Sequence, residues 1–163
     1  MIIGIAGVSR SGKTSLAHLL KEKLGDTQII SMDDYPAKID NFHYIKDAID
    51  WEHPSSLDFV KIIEQIKVAS ANFQYVIVEG IFIFYHEPLR FLMDTFIYLN
   101  LEKSHFIERK IDDNRWGSIP PWYREHIWKS HLLYGTQPSD VDFLQIDAST
   151  DYDYQQILDF IES

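Results

Sequence analysis

"GIAGVSRSGKTSLAHLL", residues 4–20, joins an apolar run to a glycine-rich loop and then to an amphipathic stretch, and the fold turns on how it is read. Gly7 to Thr14 match the pattern G-x-x-x-x-G-K-[ST]. A β-branched run lies before the loop, and Leu16, Leu20 and Leu24 fall four apart after it, ahead of a stop at Gly25. That is the strand, loop and helix context the motif requires. In such a loop Gly7 and Gly12 let the backbone take conformations closed to residues with a Cβ. Successive N–H groups then turn inward around a phosphate at the positive end of the helix dipole. Lys13 is expected to reach the β- and γ-phosphates and Thr14 to set its hydroxyl on Mg²⁺. Ser9, Arg10, Ser11 and Ser15 belong to the same phosphate site, with the Arg10 side chain facing solvent. The alternative is a glycine turn before a surface helix, with Lys13 merely solvated.

Working outward, short β-branched runs alternate with helical patterns. Residues 2–6, 27–31, 75–80, 95–100 and 142–147 read as strands, mostly continuous rather than alternating, as in a sheet covered on both faces. Helices are expected around Leu16, Leu20 and Leu24 before Gly25, at Phe59, Ile62, Ile63 and Ile66, and over 102–115, 121–134 and 153–162. Alternation of this kind predicts an α/β fold of three layers around a five-stranded parallel sheet, with residues 1–163 as one domain. Two stretches resist the pattern. Residues 32–53 form a long polar and aromatic connection, and "WGSIPP" (116–121) interrupts two helices; loops of this length commonly carry function or move.

The formal net charge is −10, so the surface field repels a phosphate backbone or an anionic membrane, and neither nucleic acid nor membrane is expected as a partner. An anionic ligand must then be held by a few placed cations, a metal ion and backbone N–H groups. With no cysteine, disulfides, thiolate catalysis and cysteine zinc sites are excluded. The opening "MIIGIAG" has neither the basic region nor the apolar length of a signal or span, and the expected location is cytoplasmic.

A triphosphate site needs an acid near its metal. "YVIVEG" supplies Glu79 after four strand residues, a ligand of Mg²⁺ or of its water, with Gly80 leaving room beside it; otherwise Glu79 caps the next segment. "ISMDDYP" (30–36) puts Asp33 at the carboxyl edge of the sheet, from where it can orient an acceptor hydroxyl and take its proton, although Asp-Asp-Tyr-Pro is also a common turn composition. Tyr35 is counted with the same acceptor site. In "IDWEHPSSLDF" (49–59) Pro54 suits a first helical turn capped by Ser55 or Ser56. Trp51 and Glu52 just before it offer a stacking face and a carboxylate for paired ribose hydroxyls. The competing reading makes Trp51 a core or hinge aromatic and Glu52 a helix-terminal charge.

Taken in order, Gly7–Thr14, "SMDDY", "DWEHP", "VIVEG" and "REHIW" resemble the uridine kinase and nicotinamide riboside kinase group of P-loop nucleoside kinases, more nearly the latter, from Ile2 to about Trp128. The resemblance implies a P-loop NTPase fold, ATP as phosphoryl donor with Mg²⁺, and a small nucleoside-like acceptor. It further implies Asp33 as the acceptor-hydroxyl base, Glu52 at the ribose, Trp51 against the base or pyridine ring, and Glu79 at the metal. It places adenine contacts on the lid helix and near Asp147 to Thr150, where "DAST" otherwise reads as a helix entry, and a basic lid over about 102–121. "ERKIDDNRW" supplies Arg109, Lys110 and Arg115 to that lid. Arg109 and Arg115 point about 120° apart on an unbroken helix. These cations either close over ATP or pair with Asp112 and Asp113 on a solvated face. Glu52 stands where the group usually has Asp. Two other functions fit parts of the pattern: a kinase for another small alcohol, such as a coenzyme precursor or sugar, and a non-catalytic nucleotide-binding regulator.

Overall fold

The computed structural model describes residues 1–113, 119–137 and 140–162. Five strands, β1 (Ile2–Gly7), β2 (Thr27–Ser31), β5 (Tyr75–Glu79), β6 (Thr95–Asn100) and β7 (Leu144–Asp147), form one sheet in the order β2-β5-β1-β6-β7. All four pairings are parallel. The other elements are α1 (Lys13–Leu24), a two-stranded hairpin β3 (Tyr44–Ile45) and β4 (Ala48–Ile49), α2 (Phe59–Ser70), α3 (Glu87–Arg90), α4 (Lys103–Ile111), α5 (Pro121–Tyr134) and α6 (Tyr154–Glu162).

Side chains alternate across the sheet, so each strand feeds two cores. Ile3 and Ile5 of β1 face α1 (Leu16, Ala17, Leu20), Phe106 of α4, Ile127 of α5, and Ile157 and Ile161 of α6. Ala6 looks the other way, with Val76 and Val78, toward Ile62 and Ile66 of α2 and the turn residues Phe82, Ile83 and Phe84. This is the three-layer α/β fold expected from the sequence. Gly25 ends α1 in the left-handed region at φ 84°, and its N–H returns to the Lys21 carbonyl.

The differences are local. α2 begins later than the Pro54 signal suggested. Residues Pro54–Ser56 make one 3₁₀ turn whose N-cap is His53, accepting from the Ser55 N–H. The cap of α2 itself is Asp58, which accepts from the Lys61 N–H at 3.0 Å. α4 stops at Ile111, so no single helix runs from 102 to 115; Arg115, Trp116 and Gly117 lie outside the described residues. Residues 147–150 do not open a helix either. Asp147 accepts from the Ser149 N–H two residues on, an Asx turn, and α6 begins only at Tyr154.

The connection at 32–53 is ordered by its own bonds. Its base is closed where Pro36 bridges Leu57, with the Ala37 N–H on the Ser56 carbonyl and the Asp58 N–H on the Tyr35 carbonyl. Its middle folds into the β3–β4 hairpin, turned by Lys46 and Asp47 at φ 47° and 63°. Two central residues with positive φ are what a tight two-residue hairpin turn demands.

Candidate active site at the carboxyl edge of the sheet

In the strand order, β1 is the point from which the chain departs first to one side and then to the other. Open α/β sheets bind ligands in the crevice beyond the strand ends at such a switch. The loop 7–14 leaves β1 at that place. Gly7 sits at φ 147°, where an added Cβ would lie 2.6 Å from the Leu99 carbonyl and 2.7 Å from Ser11 Oγ. Gly12, at φ 98°, has open space where its Cβ would stand. Arg10 also takes a positive φ, 67°. Alternation of this kind is what turns consecutive N–H groups to one side. Ser11 Oγ is buried without a partner, and Lys13, itself buried, folds back to donate to the Val8 carbonyl at 3.0 Å. A cradle with an orphaned hydroxyl, an open floor at Gly12 and a desolvated ammonium fits a phosphate group, and the glycine-turn alternative with a solvated lysine does not hold.

Glu79, buried at the end of β5, accepts from Thr14 Oγ1 at 3.1 Å and from Ser31 Oγ at 2.7 Å, both on Oε1. The β2–β5 register sets Ser31 opposite Glu79. Sequence reading missed Ser31, because 48 residues separate the pair. These bonds hold the Glu79 carboxylate toward Thr14 and Ser31 rather than over the segment that follows it. Among the described residues no cluster of three or more His, Asp or Glu side chains makes a self-sufficient metal cage. A Mg²⁺ held mainly by phosphate oxygens and water needs only one or two protein oxygens, and the Thr14 hydroxyl with the Glu79 carboxylate fits that role.

Gly80 does make room, but for a side chain. A Cβ on it would fall 2.7 Å from Cγ and 2.8 Å from Cβ of Met32, which is wholly buried. Met32 thus anchors the start of the turn that carries Asp33 directly beside the Glu79 strand end. Gly80→Ala is expected to cost about 1–3 kcal/mol by overpacking, read from urea melts, and to shift Asp33 with Met32. An unchanged melt would show that Met32 has space to retreat.

Asp33 is exposed, and its charge acts on both Lys13 and Glu52. Burial pulls the Lys13 pKa down, while Glu79, Asp33 and Glu52 oppose that pull. Burial pushes the Glu52 carboxyl up to about 7, assisted by Asp50 and Asp33 and opposed by the ammonium groups of Lys110 and Lys13. Asp33, Glu52 and Lys13 therefore share one field. A carboxyl raised in the native state holds its proton there while the unfolded chain has lost it. Stability consequently falls as pH rises from about 4.5 to about 7. Glu52→Gln removes this contribution. Its melting temperature should match the parent's near pH 4.5, rise above it as pH increases, and keep a constant lead beyond pH 7; parallel curves throughout would contradict the buried carboxyl.

The remaining expected residues divide. Trp51 is 50% exposed, its ring edge against Phe42 at 5.2 Å, so it is not core. Ser9 lies within 3.4 Å of Lys110 Nζ, and Ser15 is exposed on the first turn of α1. Arg10 reaches toward Asp113 at 3.9 Å. Tyr35 lies against α2, with Lys61 Nζ 5.8 Å above its ring. Arg109 donates to two main-chain carbonyls, Ala148 at 2.7 Å and Arg10 at 3.3 Å, and so ties the phosphate loop to the segment after β7. Its neighbour Lys110 also reaches the loop, at Ser9, and is only 6% exposed and paired with buried Asp113 at 3.3 Å. Of the two lid alternatives, pairing with an aspartate is what the described residues display, and the pair is buried rather than solvated. Asp50, passed over in sequence, is 3% exposed and gathers three donors: His126 Nε2 at 2.7 Å, the Glu52 N–H at 3.1 Å and His43 Nδ1 at 3.3 Å. Its only sequence signal is an acid set between apolar Ile49 and Trp51.

No protein-family profile matches the chain. It is similar to the uridine kinase of Borrelia hermsii, 32% identical over 133 aligned residues covering 66% of this chain and 65% of that protein. The chain thus spans slightly under two thirds of the length of the curated relatives it matches. Among solved structures, a possible uridine kinase from Bacillus stearothermophilus superposes with a TM-score of 0.57 at 20% identity, covering 90% of this chain and 88% of that one. Deoxyadenosine kinase from M. mycoides, with bound dATP, superposes at 0.60 and 19% identity over 100% of both chains. The fold is that of the P-loop kinases.

Proposed function

We propose that this chain is a P-loop kinase of the uridine kinase kind that transfers the γ-phosphoryl group of ATP to the 5′-hydroxyl of a ribonucleoside-like acceptor, a pyrimidine nucleoside or nicotinamide riboside. The observation that carries the reading is electrostatic: Asp33 and Glu52, from the connection at 32–53, act on Lys13 of the phosphate loop. Likeness to a uridine kinase supports it.

In this reading residues 1–163 work as one kinase domain, with 32–53 as the acceptor loop and about 102–121 as a lid. The inward N–H groups of the loop and the Lys13 ammonium donate to the phosphate oxygens. Asp33 accepts the proton of the acceptor hydroxyl as the new oxygen–phosphorus bond forms and the bond to the β-bridging oxygen breaks, leaving ADP. Glu52 accepts from the ribose hydroxyls and Trp51 lies against the base. Thr14 and Glu79 would hold Mg²⁺, which supplies neutralisation of phosphate charge when bound. Lys110 adds a second ammonium beside the loop. Most of the acceleration then comes from positioning and fixed charge.

The test is a panel. Thermal stabilisation by candidate acceptors with a non-hydrolysable ATP analogue, followed by ADP release, should single out uridine, cytidine or nicotinamide riboside. Turnover of sugars or pantothenate-like alcohols instead would overturn the acceptor assignment. ATP binding without turnover, coupled to affinity for a partner protein, would replace the kinase reading with a regulatory one. Among the described residues no helix is long and apolar enough to cross a membrane.

A further inference from the structure

Helix α5 meets the acceptor loop with a residue at every fourth position. Lys46 Nζ stands 3.9 Å from the centroid of the Trp122 ring, and His126 Nε2 lies 2.7 Å from Asp50 Oδ1. Ser130 Oγ donates to the Glu52 carbonyl, and the His53 ring meets Tyr134 edge-on at 5.4 Å. Positions 122, 126, 130 and 134 share one face, drifting only about 40° per step. The loop that carries Trp51 and Glu52 is therefore seated on α5 along its length.

Within that seat the His126 contact reaches closest to the chemistry. Asp50 Oδ1 takes both the His126 ring N–H and the backbone N–H of Glu52. A buried carboxylate holds its donors in short, directional bonds, so the place of one donor constrains the other. We propose that His126 is a positioning residue for the acceptor: through Asp50 it fixes the backbone of Glu52, and with it the carboxylate that meets the ribose hydroxyls. The inference rests on the reading of Glu52 as an acceptor ligand.

The experiment combines steady-state kinetics, using whichever of uridine and nicotinamide riboside turns over faster, with hydrogen exchange at the Glu52 amide. His126→Leu should raise the acceptor KM roughly tenfold while kcat and the KM for ATP stay within about twofold. His126→Gln, whose side-chain amide can stand where the imidazole Nε2 stood, should bring the acceptor KM back. The Glu52 N–H should exchange faster in the Leu variant and at the parent rate in the Gln variant. If the Leu variant fails to fold, His126→Asn, too short to reach Asp50, serves in its place. Parent-like acceptor KM in the Leu or Asn variant overturns the inference and leaves the nucleoside reading standing. So does an equal rise in both KM values with no rescue by Gln, the mark of general loosening. If the parent phosphorylates neither compound, nor cytidine, the nucleoside reading fails and takes the acceptor role of His126 with it. Unchanged exchange at Glu52 in the Leu variant overturns the relay without reference to any substrate.

Discussion

Asp33→Asn is expected to lower turnover about 10²–10⁴-fold while ATP binding survives. The amide keeps the shape of the carboxylate but cannot accept the hydroxyl proton, so the loss should fall on kcat rather than on the nucleotide. Asp33 is exposed, and Met32, not Asp33 itself, fills the core beneath the turn. A change at Asp33 therefore leaves the packing untouched, and the melting curve should stay close to the parent's. Equal loss of turnover and ATP affinity, with a lowered melt, would make Asp33 a structural residue of the turn.

Lys13→Met is expected to reduce turnover about 10²–10³-fold by removing a fixed donor from the phosphate site. It carries a second signature. Lys13 holds the Glu52 pKa down and sits among Glu79, Asp33 and Glu52. Without its charge the Glu52 carboxyl should rise further above about 7, and the pH range over which stability declines should extend upward with it. Titration of Glu52 by NMR in parent and variant measures this directly. A variant that loses turnover with Glu52 unmoved would separate the phosphate loop from the acceptor acids and remove the main support for a shared site.

The site was legible where chemistry is local and hidden where it is made by contact. The phosphate loop and Glu79 announced themselves, because a loop that wraps a phosphate needs glycines, a lysine and a hydroxyl at fixed spacing, and a strand-end acid follows its apolar run directly. Ser31 and Asp50 carry no such pattern, and His126 and Lys110 enter the sequence only as parts of "REHIW" and of the lid. Ser31 matters through its register with Glu79, and Asp50 through donors 7 and 76 residues away. Arg109 and Lys110 are neighbours of equal charge, and only the packing of α4 sends one to the main-chain carbonyls of Arg10 and Ala148 and the other to the Ser9 side chain and Asp113.

By itself, then, the sequence determined the order of strands and helices, the covered parallel sheet and the anion cradle after the first strand, since hydrophobic period and glycine placement act over a few residues at a time. Tertiary structure alone decided that Gly80 makes room for Met32, that Tyr35 faces α2, and that the connection at 32–53 is seated on α5. Those outcomes depend on which distant surfaces meet and on the burial that follows, and neither packing nor a desolvated charge is written in the spacing of residues along a chain.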